Sequence, residues 1–357
     1  MTRFGEAYPD SRLEATKKHL RAFWEGKVKT AYTCVTQEPY YRQLRDHAQM
    51  AVNAAENIIA NSKYPGHYVP KLICDFGTVS TASFFGGEIK YSAGFLPFVE
   101  PIIRSPEDAL RFLDEWEGKD FNFWDADAGS GIRLFRDVSE KLQTDELYCT
   151  SVDFQGPLTT SALLWEQTDF MCSMYERPEV VHKFLNFVTD YLIALLRFTI
   201  KESGGRLSGN VWPFIWLPDD VGVCMTEDYM PLLSAEIYAA FGAPYVKRIS
   251  EELGGLFLHC CGNFVHQIGN LRDTGIKLLG MEIHYPHVDP AAIFDAFGGD
   301  IAFVPYASIS GHTKLNTTVK FIDYIREIRR AETRLWFIIH AESEDYLEQI
   351  AAVEKMM

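Results

Sequence analysis

The sequence predicts an α/β fold, a closed (β/α)8 TIM barrel with an N-terminal helical extension. Three observations point there. Apolar strand-like segments alternate with helix-like ones along most of the chain, the long helices open on recognisable start signals, and 357 residues suffice for such a barrel as one unit. Repeated β-then-α order implies parallel strands joined by crossover helices. An open doubly wound sheet is the alternative, but no G-x-G-x-x-G phosphate turn supports it.

Residues 11–24 and 37–61 read as helices, with Leu44, Met50, Val52, Ile58 and Ile59 at roughly helical spacing, and they define an extension over 1–62. The turn-forming Lys63-Tyr64-Pro65-Gly66 then leads into the first strand, Lys71 to Phe76, so the barrel is expected over 63–357. Further strands are read at 147–154, 207–215, 255–260, 276–283, 300–304 and 335–340. The eighth is sought in 84–104, whose Phe84-Phe85-Gly86-Gly87 also suits an active-site loop. Ser105-Pro106-Glu107-Asp108 supplies a capping serine, proline at the first helical position and acid in the first turn. Other helices fall near 178–202, 227–240, 244–253, 263–273, 289–297, 316–331 and 343–355.

Composition narrows the function. The chain is 47% hydrophobic with a formal charge of -15, so its field repels phosphate backbones and anionic lipid surfaces, and nucleic-acid and membrane partners are disfavoured. No apolar run approaches the roughly 20 residues of a membrane span, and the N-terminus lacks a signal peptide's apolar core, so a cytoplasmic location is expected. The seven scattered cysteines suit free thiols or metal ligands rather than a disulfide framework.

The segment richest in chemistry is Gly255-Leu256-Phe257-Leu258-His259-Cys260-Cys261-Gly262-Asn263, an apolar strand ending in ligand-type residues. Alternation along a strand puts His259 and Cys261 on one side and Cys260 on the other. An imidazole and a thiolate at the C-terminal end of a barrel strand suit Zn²⁺. Glu282 and His284 share one side of the next strand and are candidates for a further ligand or a proton carrier. Asp75, Asp153 and the pair Asp219 and Asp220 are expected at the barrel mouth, to bind a cationic or hydroxylated substrate or to act as acid and base.

His-x-Cys-Gly-Asn after an apolar strand resembles the signature of the methylcobamide:coenzyme M methyltransferases and their relatives in the uroporphyrinogen decarboxylase superfamily. Asp153-Phe154-Gln155-Gly156-Pro157, Arg177-Pro178-Glu179-Val180, Leu217-Pro218-Asp219-Asp220, Leu232-Leu233-Ser234 and Tyr245 match that superfamily in order and spacing over roughly 70–357. The resemblance implies the barrel and a zinc-dependent methyltransferase acting between a corrinoid, free or on a corrinoid-binding protein, and a small thiol. Zinc-containing relatives take a third ligand from a cysteine at the end of the last strand, but this chain has none after Cys261 and offers His340 or Glu342 there. Uroporphyrinogen decarboxylases carry Arg-Gln-Ala-Gly-Arg on the first strand; Cys74-Asp75-Phe76-Gly77-Thr78 has neither arginine, which disfavours a carboxylate-rich porphyrinogen. Phe84, Phe85, Phe95, Trp212, Phe214 and Trp216 are candidates to line the pocket. A carboxy-lyase using the mouth aspartates is the alternative function, and a corrinoid-binding partner without turnover of its own is a third.

Overall fold

The structure is a computed structural model that describes residues 4–36, 46–91, 97–308 and 315–357. Eight parallel strands follow one another around a TIM barrel: β1 (Thr30–Val35), β2 (Lys71–Leu72), β3 (Tyr148–Cys149), β4 (Val223–Thr226), β5 (Leu256–His259), β6 (Leu278–Tyr285), β7 (Ala302–Ala307) and β8 (Arg334–His340). From β4 to β8 and on to β1 they form one six-stranded sheet. In β1, Thr30 lies opposite Leu335 and Val35 opposite His340. β2 pairs with β3, and the chain beyond β3 reaches β4 through a parallel bridge from Gln155 to Thr226. Every residue of β1, β4 and β5 is buried, as expected where side chains fill the barrel on one side and helices cover the other.

Two strand assignments differ from the sequence reading. The missing strand is β1, within the stretch read as a helical extension, whereas 84–104 holds only a short antiparallel pair, Ile89–Lys90 with Phe98–Val99. Thr30, Tyr32 and Thr33 make β1 look polar, yet each finds a hydrogen-bond partner elsewhere in the fold. Thr33 Oγ1 accepts from Trp336 Nε1 at 3.0 Å, and the Tyr32 hydroxyl donates to Glu354 at 3.0 Å. The segment 207–215 makes one parallel bridge, Leu207 to Cys149, before Gly209 at φ +81° and Pro213 interrupt the ladder. The regular strand there is β4.

The helices lie close to the expected ranges. Pro106–Trp116 opens as read, with Ser105 Oγ accepting from the Asp108 amide at 3.1 Å. Asp127–Leu142, Pro157–Leu164 and Gln167–Glu176 are additional, and the helix read at 227–240 is confined to Ala235–Phe241. Of the helix read at 37–61, His47–Asn61 is present, and 37–45 falls outside the described residues. Helix Asp10–Trp24 covers the N-terminal end of the barrel, burying Leu13, Leu20 and Phe23, and Trp24 Nε1 donates to the Trp216 carbonyl at 2.8 Å. No described helix is long and apolar enough to cross a membrane.

Because β1 is hydrogen-bonded to β8 and wholly buried, a charge there has no route to water. Ala31→Asp should cost at least about 3 kcal/mol in urea unfolding. Arg21→Ala, which removes an exposed ion pair with Asp220, should cost less than about 1 kcal/mol.

Candidate active site

β5 delivers His259 and Cys261 to the C-terminal end of the barrel. His259 Nε2 lies 3.2 Å from Cys261 Sγ, while Cys260 points away and is buried, and burial pushes its thiol well above the ordinary range. Cys261 is exposed, so the sulfur stands at the open side of the pair. The other ring nitrogen, His259 Nδ1, meets Glu282 Oε2 at 2.5 Å, and the same oxygen accepts from Trp212 Nε1 at 2.6 Å. With Nδ1 held on the carboxylate, Nε2 is turned toward Cys261. Burial on its own would depress the His259 pKa, but Glu282 and Cys261 outweigh it and hold the ring well above an ordinary imidazole.

The third group is Asp228, two residues beyond β4. Its Oδ1 accepts from the Cys261 amide at 2.8 Å, and ligand atoms of Asp228, His259 and Cys261 all lie within 4.8 Å of one another. Carboxylate O, imidazole N and thiolate S at this spacing form a donor set that zinc accepts. Glu282 Oε1 is buried beside it without a hydrogen-bond partner among the described residues. Asp228 is not among the sequence candidates, which place the strand at 207–215; an acid just beyond an apolar Val-Cys-Met-Thr run is the signal that points to it.

His340 and Glu342 do not belong to this group. His340 stacks parallel to Trp212, ring centroids 5.9 Å apart at 6°, and burial lowers its pKa against the pull of Glu342. Glu342 is exposed and acts electrostatically on Cys34 and Tyr64, on the β1 side of the barrel. Both residues line a mouth cavity of about 550 Å³, together with Asp75, Trp212, Phe214 and Tyr306. Of the other aromatic candidates, Phe84 and Phe85 pack with Trp116 and Tyr191 in a cluster outside the barrel. Trp216 is buried at the opposite end, beside Trp24, and Phe95 lies outside the described residues.

The carboxylates divide between the two ends. Asp153 stands at the mouth, where burial and then the neighbouring Asp75 push it up to about 7, although His259 opposes them. Gln155 Nε2 donates to it at 2.8 Å. Asp220, expected at the mouth, sits at the N-terminal end, because β4 starts only after it; it is exposed, held by Arg21 at 2.9 Å, and its pKa is lowered by that partner. Asp219 precedes β4 in the same way. The carboxylates that do follow β4 are Glu227 and Asp228. Glu227 is fully buried, accepts from the Thr159 amide and hydroxyl at 2.9 and 2.6 Å, and is pushed by burial to about 7. His284 is at the rim, bonded to Ser308 Oγ at 2.6 Å, with its pKa lowered by burial.

Residues 41–304 match the uroporphyrinogen decarboxylase (URO-D) family. The chain belongs to that family. A methyltransferase from Methanosarcina mazei has a similar structure, with a TM-score of 0.67 over 96% of this chain and 98% of that one at 14% identity, which speaks to the shared fold. A vitamin-B12 independent methionine synthase from Listeria monocytogenes overlaps far less, at a TM-score of 0.37, 11% identity and 63% and 69% coverage. No curated protein sequence matches significantly.

Asp153 and Glu227 have folded pKa values near 7, above the unfolded carboxylate range, so the native state binds more protons between about pH 4 and 7 and loses stability as pH rises through that window. Asp153→Asn should flatten part of this decline, leaving the variant more stable than the parent at pH 8 but not at pH 4. Urea midpoints at the two pH values measure it.

Proposed function

We propose that this protein is a zinc-dependent, cytoplasmic methyltransferase that moves a methyl group between a corrinoid and a thiol acceptor. The observation that carries the reading is the His259 arrangement: Nδ1 fixed on buried Glu282, Nε2 turned to Cys261 Sγ at 3.2 Å, and Asp228 within reach of both. This is the pattern of a metal-binding histidine oriented by a carboxylate behind it. The solved neighbour described as a methyltransferase supports the reaction class.

His259, Cys261 and Asp228 would hold the zinc, with the exposed side of Cys261 leaving room for one exchangeable position. Zinc supplies a Lewis acid there that favours the thiolate form of a substrate thiol near neutral pH. Glu282 and Trp212 keep the imidazole in one tautomer and one orientation. Asp153, titrating near neutrality beside Asp75, can take or hold the proton that the thiol gives up. Trp212, Phe214 and Tyr306 offer apolar walls to a flat corrin or to the part of a corrinoid protein that presents it.

Metal analysis of the purified protein should find about one zinc ion per chain. Cys261→Ser and Asp228→Ala should each lose most of the zinc and the transfer of methyl from methylcobalamin to a thiol, while His340→Ala keeps its zinc. Full zinc in both of the first two variants would sink the proposed site. The Asp75 and Asp153 pair favours a second reading, a carboxy-lyase working through carboxylates. Turnover that survives zinc removal but not Asp153→Asn would select it.

A further inference from the structure

We infer that the N-terminal face of the barrel, opposite the mouth, carries a binding site for a small phosphorylated anion. A cavity of about 730 Å³ opens there, lined by His19, Lys27, Lys29, Arg326, Arg329 and Arg330, with Met356 and Met357 beside them and no acidic side chain. Its size is within the roughly 300–1,000 Å³ typical of small-molecule sites. Lys29 immediately precedes β1, and Arg329 and Arg330 lie between helix Thr318–Ile328 and β8, so these charges are fixed by the barrel frame.

Such a cluster is unusual in a chain of formal charge -15, most of whose arginines are paired. Three of the lining residues have outward partners: Lys27 with Glu25 at 2.5 Å, Arg326 with Asp323 at 2.8 Å and Arg330 with Asp295 at 2.6 Å. Lys29 and Arg329 have no carboxylate within ion-pair distance among the described residues. Among the described residues Arg329 makes only long contacts through Nη1, to Thr30 Oγ1 at 3.5 Å and the Met356 carbonyl at 3.3 Å, so most of its five N–H donors face no protein acceptor there. Burial and then the neighbouring Arg326 lower its pKa, as expected where positive charges crowd without an anion.

Planar guanidinium forks together with an ammonium match the several oxygens and double charge of a phosphoryl group better than a single carboxylate. The flanking Glu25, Asp323 and Asp295 and the acidic remainder of the surface would repel a nucleic-acid backbone, so the ligand is a small molecule. An occupant would bridge the start of β1 to the segment entering β8, and hence would stabilise the folded barrel. The inference does not depend on the proposed methyl transfer at the mouth.

Calorimetric titration with pyrophosphate at low salt, with thermal unfolding alongside, tests it. Saturable binding should raise the unfolding temperature. Lys29→Gln and Arg329→Gln should each weaken binding about tenfold or more, the loss of one charge-assisted contact. Lys183→Gln, an exposed residue of helix Pro178–Glu202 that does not line the cavity, should change nothing. Should Arg329→Gln unfold, Lys29→Gln alone carries the comparison. No binding at millimolar pyrophosphate overturns the site, as does binding equal in Lys29→Gln, Lys183→Gln and the parent, which would mark diffuse surface attraction only.

Discussion

Glu282 is a carboxylate with no exposure to solvent, set on β6 in the interior of the barrel, and it constrains everything around it. A buried carboxylate is costly unless donors are aimed at it. Here the donors are His259 Nδ1 and Trp212 Nε1, converging on one oxygen from β5 and from the irregular segment before β4. That demand orients the imidazole, turns its free nitrogen toward Cys261, and pins the indole that forms one wall of the mouth cavity. The pairing also explains why a histidine that is only 7% exposed can carry a raised pKa, since the nearby negative groups compensate the burial.

The barrel then separates two electrostatic environments. At the mouth, Asp75, Asp153, Asp228 and Glu282 gather around one histidine, a set suited to a metal ion and to proton movement. At the opposite end, the helix over 10–24 and the segments entering β1 and β8 bring lysine and arginine together. Asp220 belongs to this second end, where its partner Arg21 makes it an ordinary surface ion pair. The hydrophobic layer between the ends, with Trp336 and Phe257 fully buried, keeps the two sets of charges apart.

Much of the barrel was legible because parallel strands buried on both faces leave near-continuous apolar runs, as in Leu256 to Leu258 and Leu335 to Ile339. β1 was not legible, because Thr30, Tyr32 and Thr33 satisfy their polar atoms across the fold, with Met356, Glu354 and Trp336, and no local pattern announces such partners. The reading at 207–215 fails for a different reason: an apolar stretch resembles a strand until the glycine and proline within it are seen to break the ladder. It carried the expectation for the mouth acids to Asp219 and Asp220, which lie before the true strand, and away from Asp228, which lies after it.

By itself, the sequence determined the family, the barrel and the placing of His259 and Cys261 on one side of a strand with Cys260 on the other. Those features rest on local periodicity and on a collinear set of short motifs, both of which are properties of chain order. The tertiary structure alone decided that Asp228 stands beside the pair and that Glu282 holds the histidine while His340 faces Trp212. These contacts join strands separated by twenty residues or more and depend on where each strand ends, because a shift of a few residues exchanges one end of the barrel for the other.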